Sequence, residues 1–491
     1  MPPRVAEETT PLLGSEPASP LLIPVKPAVA QTPTPLPKKQ LGVLCAAVLG
    51  EPIQLTIIFP FIYFMIRDFN VTKDPTEIGY YAGLITTTFS LAQVISSIPI
   101  GMLSDRFGRR PMLLLGLLGN VISACLFGLA RNFAWAVVAR AMLGFVNGNI
   151  GVAKSITGEI TDGTNRAKAF SLFGFCMALG GIAGPIIGGF LANPAEQYPG
   201  VFGKSAFWKM YPYFLPCAVS ALVSLAGFIF GYIYLEETLS VPPPSDLPQV
   251  HVEVIHSHGE QKKRRVEWVE SVRNYLPAAS WPPIFGLGLL ALTAIMNGET
   301  YPLLASTPVE MAANGLGFNE KEVGASLCYQ GVVTLLCQIF VYHRVEKALG
   351  PLKTLRTGIL LTFISTLLTA TLPSIARIAA PSHTLTFSLL LPILFLSSLG
   401  TMFCFTSTFL MVNESAPSPK ELGKINGVAQ MAACLARTVG PALAGGLWSW
   451  SSGETGWGFP WVCYGVTAGL VAVLGWETRF SARVGLGKKL V

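Results

Sequence analysis

Gly50-Glu51-Pro52-Ile53-Gln54-Leu55-Thr56-Ile57-Ile58-Phe59-Pro60 and, 248 residues later, Gly298-Glu299-Thr300-Tyr301-Pro302-Leu303-Leu304-Ala305-Ser306-Thr307-Pro308 share one plan. Each sets a Gly-Glu pair in an apolar run and places a proline nine residues after the carboxylate. The same offset relates Tyr81-Ala-Gly83 to Tyr329-Gln-Gly331. Further along, Gly184-Pro185-Ile-Ile-Gly188-Gly189 returns as Gly440-Pro441-Ala-Leu-Ala-Gly445-Gly446, with one residue added. A chain that repeats its own succession of features across its length is expected to fold as two related halves.

Around these segments the chain is too apolar for water. Hydrophobic residues make up 51% of its 491 positions and charged residues only 12%, and the mean hydropathy of +0.53 excludes an ordinary assembly of soluble domains. In a bilayer a spanning helix needs about 20 mostly apolar residues, because hydrocarbon about 30 Å thick offers backbone N–H and C=O groups no partner. Stretches near 41–66, 77–103, 111–130, 133–156, 166–192, 210–236, 283–305, 322–344, 352–372, 384–410, 422–450 and 458–479 qualify. The predicted fold class is an all-α membrane protein with twelve transmembrane helices in two pseudo-symmetric six-helix halves, 41–236 and 283–479. The net charge of +7 needs no nucleic-acid partner, because most Lys and Arg fall in the termini and in the loops after even-numbered spans. That asymmetry places both termini in the cytoplasm.

Residues 1–40, rich in Pro, Thr and Ala, read as a disordered cytoplasmic tail without a signal peptide. Within it, Glu8-Thr-Thr-Pro-Leu12-Leu13 has the spacing of an acidic dileucine sorting signal, which would favour a vacuolar over a plasma membrane; the alternative is plain disorder. Residues 237–282 form a polar cytoplasmic connection between the halves, and 480–491 a cytoplasmic tail. His251, His256 and His258 in that connection are a weak metal candidate. Imidazole suits zinc, but three histidines without cysteine in a polar loop are more simply solvated. The nine cysteines all lie in apolar stretches, form no C-x-x-C pair, and read as small core residues. Asn70-Val-Thr72 is a glycosylation sequon too close to the first span for occupancy to be expected. After Ala376 the sequence reads as a long, divergent loop. No nucleophile elbow, phosphate loop or metal-ligand spacing occurs, so neither an enzyme nor a cofactor is expected.

Four groups of residues carry the functional reading. Gly101-Met-Leu-Ser-Asp105-Arg106-Phe-Gly108-Arg109-Arg110 follows the second span; Gly101 would permit close helix contact, and Asp105 could bond a helix N-terminus or a neighbouring arginine. Its second-half counterpart, His343-Arg344-Val-Glu346-Lys347-Ala-Leu-Gly350, lacks the Asp. Arg140, in the fourth span, should face a cavity or a carboxylate, or else snorkel to the interface. In the run Gly180, Gly184, Pro185, Gly188 and Gly189, the glycines at four-residue spacing clear one face of the fifth span for close packing, and Pro185 would bend it. Glu51 and Glu299 sit inside spans at repeat-equivalent positions. A carboxyl that water reaches only in part can take up and release a proton near neutral pH as its surroundings alternate. Arg437, in the eleventh span, is a candidate counter-ion.

The loop 101–110 resembles the signature of the major facilitator superfamily, the Arg140 segment its fourth-helix arginine motif, and Gly180–Gly189 the antiporter signature of its drug:proton branch. Phe59-Pro-Phe-Ile-Tyr-Phe-Met-Ile-Arg67-Asp68-Phe69, Ile78-Gly-Tyr-Tyr-Ala-Gly83, Gln197-Tyr-Pro199 and Tyr211-Pro-Tyr-Phe-Leu-Pro-Cys217 are similar to the zinc-induced facilitator-like group. The resemblance implies the major facilitator fold, a monomer, a latch between the halves at loop 101–110, and proton-coupled export of a small organic solute such as a xenobiotic or secondary metabolite. A zinc, potassium or metal-chelate transporter, a nutrient importer or uniporter, and a non-transporting sensor stay open as alternatives.

Overall fold

The computed structural model describes residues 34–162, 165–239, 277–309, 315–378, 383–415 and 419–452, and of the twelfth predicted span only 465, 467–469 and 471. No strand occurs among the described residues. The first span is Lys38–Thr56 continued by Ile62–Asp68; the second Ile78–Phe107; the third Arg109–Gly128; the fourth Phe133–Val146 with Asn149–Glu159; the fifth Arg166–Leu191; the sixth Phe214–Tyr234. The second half repeats them as Trp281–Ser306, Glu320–Phe340, Pro351–Ile378, His383–Glu414 and Pro419–Ser452, the seventh to eleventh spans.

Nine helical segments among the described residues are long and apolar enough to cross a membrane. The first and eleventh spans are not among them; each carries charged or amide residues within its helix, Glu51 and Gln54 in one, Gln430 and Arg437 in the other. Both are nevertheless packed helices, the first against the fifth and sixth, the eleventh against the seventh and second.

Three expectations change. The first span is broken at Ile57–Phe61 where the sequence predicted one helix over 41–66. Pro60 has no N–H, so the Thr56 carbonyl is met instead by Phe59 N at 3.4 Å and the chain turns before the helix resumes. The fourth span is interrupted at Asn147-Gly148. The long loop expected after Ala376 is helical through Ile378 and again from His383, which leaves only residues 379–382 between.

Helix starts follow local chemistry. Asn132 accepts from Trp135 N at 2.8 Å, and Asn319 forms a capping box with Glu322, each satisfying N–H groups that a helix leaves unpaired. Prolines 52, 99, 185, 302, 373, 392 and 441 lie within helices. Spanning helices tolerate prolines better than soluble ones, because neighbouring helices, hydroxyls and local adjustments can satisfy the freed carbonyls.

The halves meet through two pairs of spans, second with eleventh and fifth with eighth. Their apolar cores differ between the two ends of the bundle. At the end away from loop 101–110 a single cluster joins both halves and includes Phe61, Tyr63, Ile85, Tyr301, Phe318 and Trp448. There Gly83 and Gly79 lie against the backbone of Pro441 and Gly445, and Gly189 lies against that of Gly324, so close that a Cβ at any of these glycines would collide. Tyr80 N also donates to Ser449 Oγ at 2.9 Å. At the other, basic end each half keeps its own core: Leu44, Leu113, Leu117 and Ile156 in one, Ile284, Leu287, Val412 and Ile425 in the other. A Cβ on Gly151 or Gly427 there would meet nothing within 4 Å. The bundle is therefore sealed at one end and opens between the halves at the basic end.

Candidate functional site

Three charged side chains are buried in the middle of the bundle: Glu51 is 5% exposed, Glu299 7% and Arg140 2%. The first span places Glu51 beside Pro52; the seventh places Glu299 beneath Pro302; the fourth carries Arg140 about two turns before its break. Ions at this depth are costly unless they face partners or an aqueous cleft.

Arg140 packs its guanidinium over Phe127 at 4.8 Å and Phe89 at 5.7 Å, and its Nη1 donates to the Gln54 carbonyl at 3.5 Å. Its Nε and Nη2 have no hydrogen-bond partner. It does not snorkel. Glu299 reaches across the boundary between halves: Thr86 Oγ1 of the second span donates to Glu299 Oε2 at 3.4 Å, and Arg140 is near enough for the two charges to act on each other. Gln54 continues the polar path by donating to Ser224 Oγ at 2.9 Å.

Glu51 stands in a different setting. The Asn147 side chain, at the break in the fourth span, neighbours its carboxylate, and Lys154 and Arg437 act on its charge from the fourth and eleventh spans. Its Oε2 has no hydrogen-bond partner. Gln93 Nε2 donates to Asn147 Oδ1 at 3.2 Å, which turns the amide N–H₂ of Asn147 away from Gln93 and toward an acceptor. Lys154 and Arg437 are both exposed, and Arg437 Nη2 donates to Cys434 Sγ at 3.0 Å.

Loop 101–110 forms a separate network at the basic end. Arg109 pairs with Asp105 at 2.6 Å and with Glu159 of the fourth span at 3.0 Å. Glu237, just past the sixth span, caps the start of the third: it accepts from Arg109 N at 2.9 Å and Arg110 N at 3.1 Å. Burial alone would raise the Glu237 pKa, but backbone N–H groups of Leu239, Arg109, Arg110 and Thr238 outweigh it and hold this carboxyl below its usual range. Gly108 has φ 107°, and a side chain there would be strained and would also strike the Glu237 carboxylate. Arg110 Nη2 donates to the Tyr232 carbonyl at 2.6 Å, and Arg106 lies over Phe107. Gly101 corrects the expectation of close helix contact, because a Cβ there would meet open space.

The fifth-span glycines do pack closely. Gly180 lies against Pro52, Gly184 against Thr56 and Gly188 against the Ile57 carbonyl, so three of them face the first span, while Gly189 faces the eighth. The Pro185 carbonyl approaches Gly324. Asn70 adopts a left-handed φ of 50° and donates through Nδ2 to the Asp68 carbonyl at 3.2 Å. Glu8, Leu12, Leu13, His251, His256 and His258 lie outside the described residues. Among the described residues no group of three His, Cys, Asp or Glu could hold a metal ion.

A membrane bundle with two repeated halves, joined through glycine-rich helix pairs and holding carboxylates and an arginine between them, has known relatives. Residues 44–306 match the Major Facilitator Superfamily. The chain belongs to that superfamily. It is 31% identical to the major facilitator superfamily multidrug transporter mfsB of Aspergillus fumigatus, over 89% of this chain and 82% of the relative. It is also 32% identical to the protein ZINC INDUCED FACILITATOR 1 of Arabidopsis thaliana, over 84% and 85%. A tetracycline resistance protein, class B, of Escherichia coli is 28% identical over 65% of this chain and 68% of the relative, which fits the drug:proton antiporter branch. In fold, the chain resembles a bacterial homolog of the human lysosomal transporter Spinster, solved inward-facing and occupied, with a TM-score of 0.62, 15% identity, and coverage of 91% and 97%. This major facilitator is a multi-pass secondary transporter of small solutes and not an enzyme.

Sequence reasoning missed five residues of these networks: Thr86, Asn147, Lys154, Glu159 and Glu237. Lys154 was findable, since it is a cation in an apolar stretch, the same signal that marks Arg140. Asn147 stands in the motif segment that begins at Arg140, but its place beside Glu51 had no signal, and neither had Thr86, because hydroxyls and amides are common in such helices and only the packing selects these two.

Proposed function

We propose that this transporter is a proton-coupled antiporter that exports a small organic solute, such as a xenobiotic or secondary metabolite, by alternating access, with Glu51 and Glu299 as the proton-exchanging groups. The observation that carries the reading is the pair of buried carboxylates at repeat-equivalent positions, each within reach of a cation supplied by another span. A proton bound at either one changes that carboxylate's attraction for its partner, and a coupled ion shifts a conformational equilibrium only through such a difference between states. Arg140 and Arg437 act as the counter-ions. Loop 101–110 is the latch, with Asp105 and Arg109 at its centre. The termini are cytoplasmic, so the open cleft faces the cytosol and receives cargo there; the protein works as a monomer in a plasma or vacuolar membrane. The efflux reading is supported by the relatives described as a multidrug transporter and as an efflux pump of Aspergillus niger.

The test is transport in proteoliposomes with an imposed pH gradient, using a panel of organic amines, organic anions, Zn²⁺ and metal chelates. Accumulation of an organic solute against its gradient, collapsing with a protonophore and lost in Glu51→Gln, is the expected outcome. Gradient-driven flux that survives in Glu51→Gln would remove Glu51 from the mechanism. Flux of Zn²⁺ or a chelate alone would turn the reading to metal transport.

A further inference from the structure

We propose that the crevice between the first and fifth spans at the basic end binds an anionic phospholipid of the surrounding bilayer. The glycine contacts between the two helices are confined to the half of their length that points away from loop 101–110. There Gly180, Gly184 and Gly188 lie against Pro52, Thr56 and Ile57, and Thr56 Oγ1 donates to the Gly180 carbonyl at 2.9 Å. Toward the basic end the small-residue contacts stop, and a Cβ on Gly42 or Gly174 would meet nothing within 4 Å. The helices touch there through the Cys176 thiol and the Cys45 carbonyl, and beside that contact they leave a cavity of about 380 Å³ walled by Leu41, Cys45, Leu49, Leu172, Phe175 and Leu179, with Lys38 also on its lining.

Three features choose the occupant. The walls are hydrocarbon and thiol and offer nothing to a polar solute, whereas an acyl chain loses only its contact with other lipid tails. From Lys38 to Leu49 the helix rises about 16 Å at 1.5 Å per residue, close to the roughly 15 Å of one leaflet's hydrocarbon. Lys38 begins the first helix, at the level where headgroups lie, and neither it nor Lys39, which stands 5.8 Å from the Tyr234 ring centre, takes part in an ion pair among the described residues. Juxtamembrane lysines attract anionic lipids; a zwitterionic headgroup brings its own cation to the same place and is held less well.

The crevice also contains its own reporter, because Cys45 and Cys176 both line it and Cys176 Sγ lies 3.8 Å from the Cys45 carbonyl. The full-length protein is labelled with N-ethylmaleimide in detergent micelles, in phosphatidylcholine nanodiscs and in phosphatidylglycerol nanodiscs, and modification at each cysteine is followed by peptide mass spectrometry. Labelling of Cys45 and Cys176 is expected to be several-fold slower in phosphatidylglycerol than in phosphatidylcholine. Lys38→Gln combined with Lys39→Gln should erase that difference while leaving the thermal midpoint unchanged. Gly42→Phe, which fills the crevice, should lower the number of phosphatidylglycerol molecules retained after delipidation by one. Equal labelling in all three environments would overturn the proposal, as would a phosphatidylglycerol preference that persists without the lysines. Labelling already as slow in micelles as in phosphatidylglycerol would show that the chain itself fills the crevice, and would equally overturn it.

Discussion

Glu51 and Glu299 occupy the same place in a repeated sequence and different places in the folded bundle. Glu299 lies where the halves are sealed, bonded to Thr86 of the opposite half and within the field of Arg140. Glu51 lies against the open cleft, beside Asn147 and two cations, with one oxygen unpartnered. Internal symmetry therefore fixes that a carboxylate stands on each central helix, while the conformation decides what it meets. A bundle sealed at one end and open at the other cannot give both copies the same neighbours, and that inequality is what an alternating mechanism requires. Under the proposed proton-coupled mechanism, Glu51 would be the carboxylate that exchanges protons with the cleft in the present state, and Glu299 the one that reports the closure of the halves.

The largest expected effect separates the two directly. Glu51→Gln should reduce gradient-driven accumulation to the level of protein-free liposomes, while Glu299→Gln should retain counterflow exchange and weaken mainly the sealed state. Identical flux and identical conformational populations in the two variants would break the comparison. Next in size is Arg140→Ala, which removes the cation facing Glu299. Its guanidinium packs on Phe127 and Phe89 and acts on Glu299 only at longer range than an ion pair, so the thermal midpoint should fall through lost packing together with a weakened attraction. Adding Glu299→Gln should restore part of the loss and adding Glu51→Gln should not; recovery with Glu51→Gln instead would reassign the partner of Arg140.

Thr86→Val removes one neutral hydroxyl from the contact between halves. A hydrogen bond of this kind contributes about 1 kcal/mol, a roughly five-fold shift in the ratio of sealed to unsealed molecules. Distance measurements between spin labels on exposed positions of the two halves at the sealed end should show it, and an unchanged distribution would mean that the Glu299 contact carries no conformational weight. The smallest effect is expected far from both carboxylates, at Glu237. Its pKa is held below the ordinary range in the folded chain, so its stabilising contribution is present above the unfolded value of about 4.3 and is lost as pH falls through the lower folded value. Glu237→Gln should therefore lower the midpoint slightly at pH 7, with the difference from the parent vanishing in acid. A difference that grows in acid would contradict the capping role.

Much of this was legible in the chain. The apolar runs demanded spanning helices because backbone groups have no partner in hydrocarbon, and the repeated Gly-Glu and Gly-Pro segments divided them into halves. Glycines 180, 184 and 188 were readable as a contact face because four-residue spacing on a helix leaves no other arrangement. Gly101 was misjudged, since the spacing of a glycine does not say whether another helix is present beside it. The break at Ile57–Phe61 was signalled by Pro60 but hidden by the unbroken apolar pattern around it.

What the sequence by itself determined was local and periodic: which segments span, where they repeat, and which few charges lie within them. The tertiary structure alone decided the pairings. Thr86 with Glu299, Asn147 with Glu51, Glu237 with the start of the third span, and the sealing of one end only are contacts between segments distant in sequence. Each depends on how the helices are rotated and tilted against one another, and the hydrophobic pattern leaves that rotation undetermined because nearly every face of these helices is apolar.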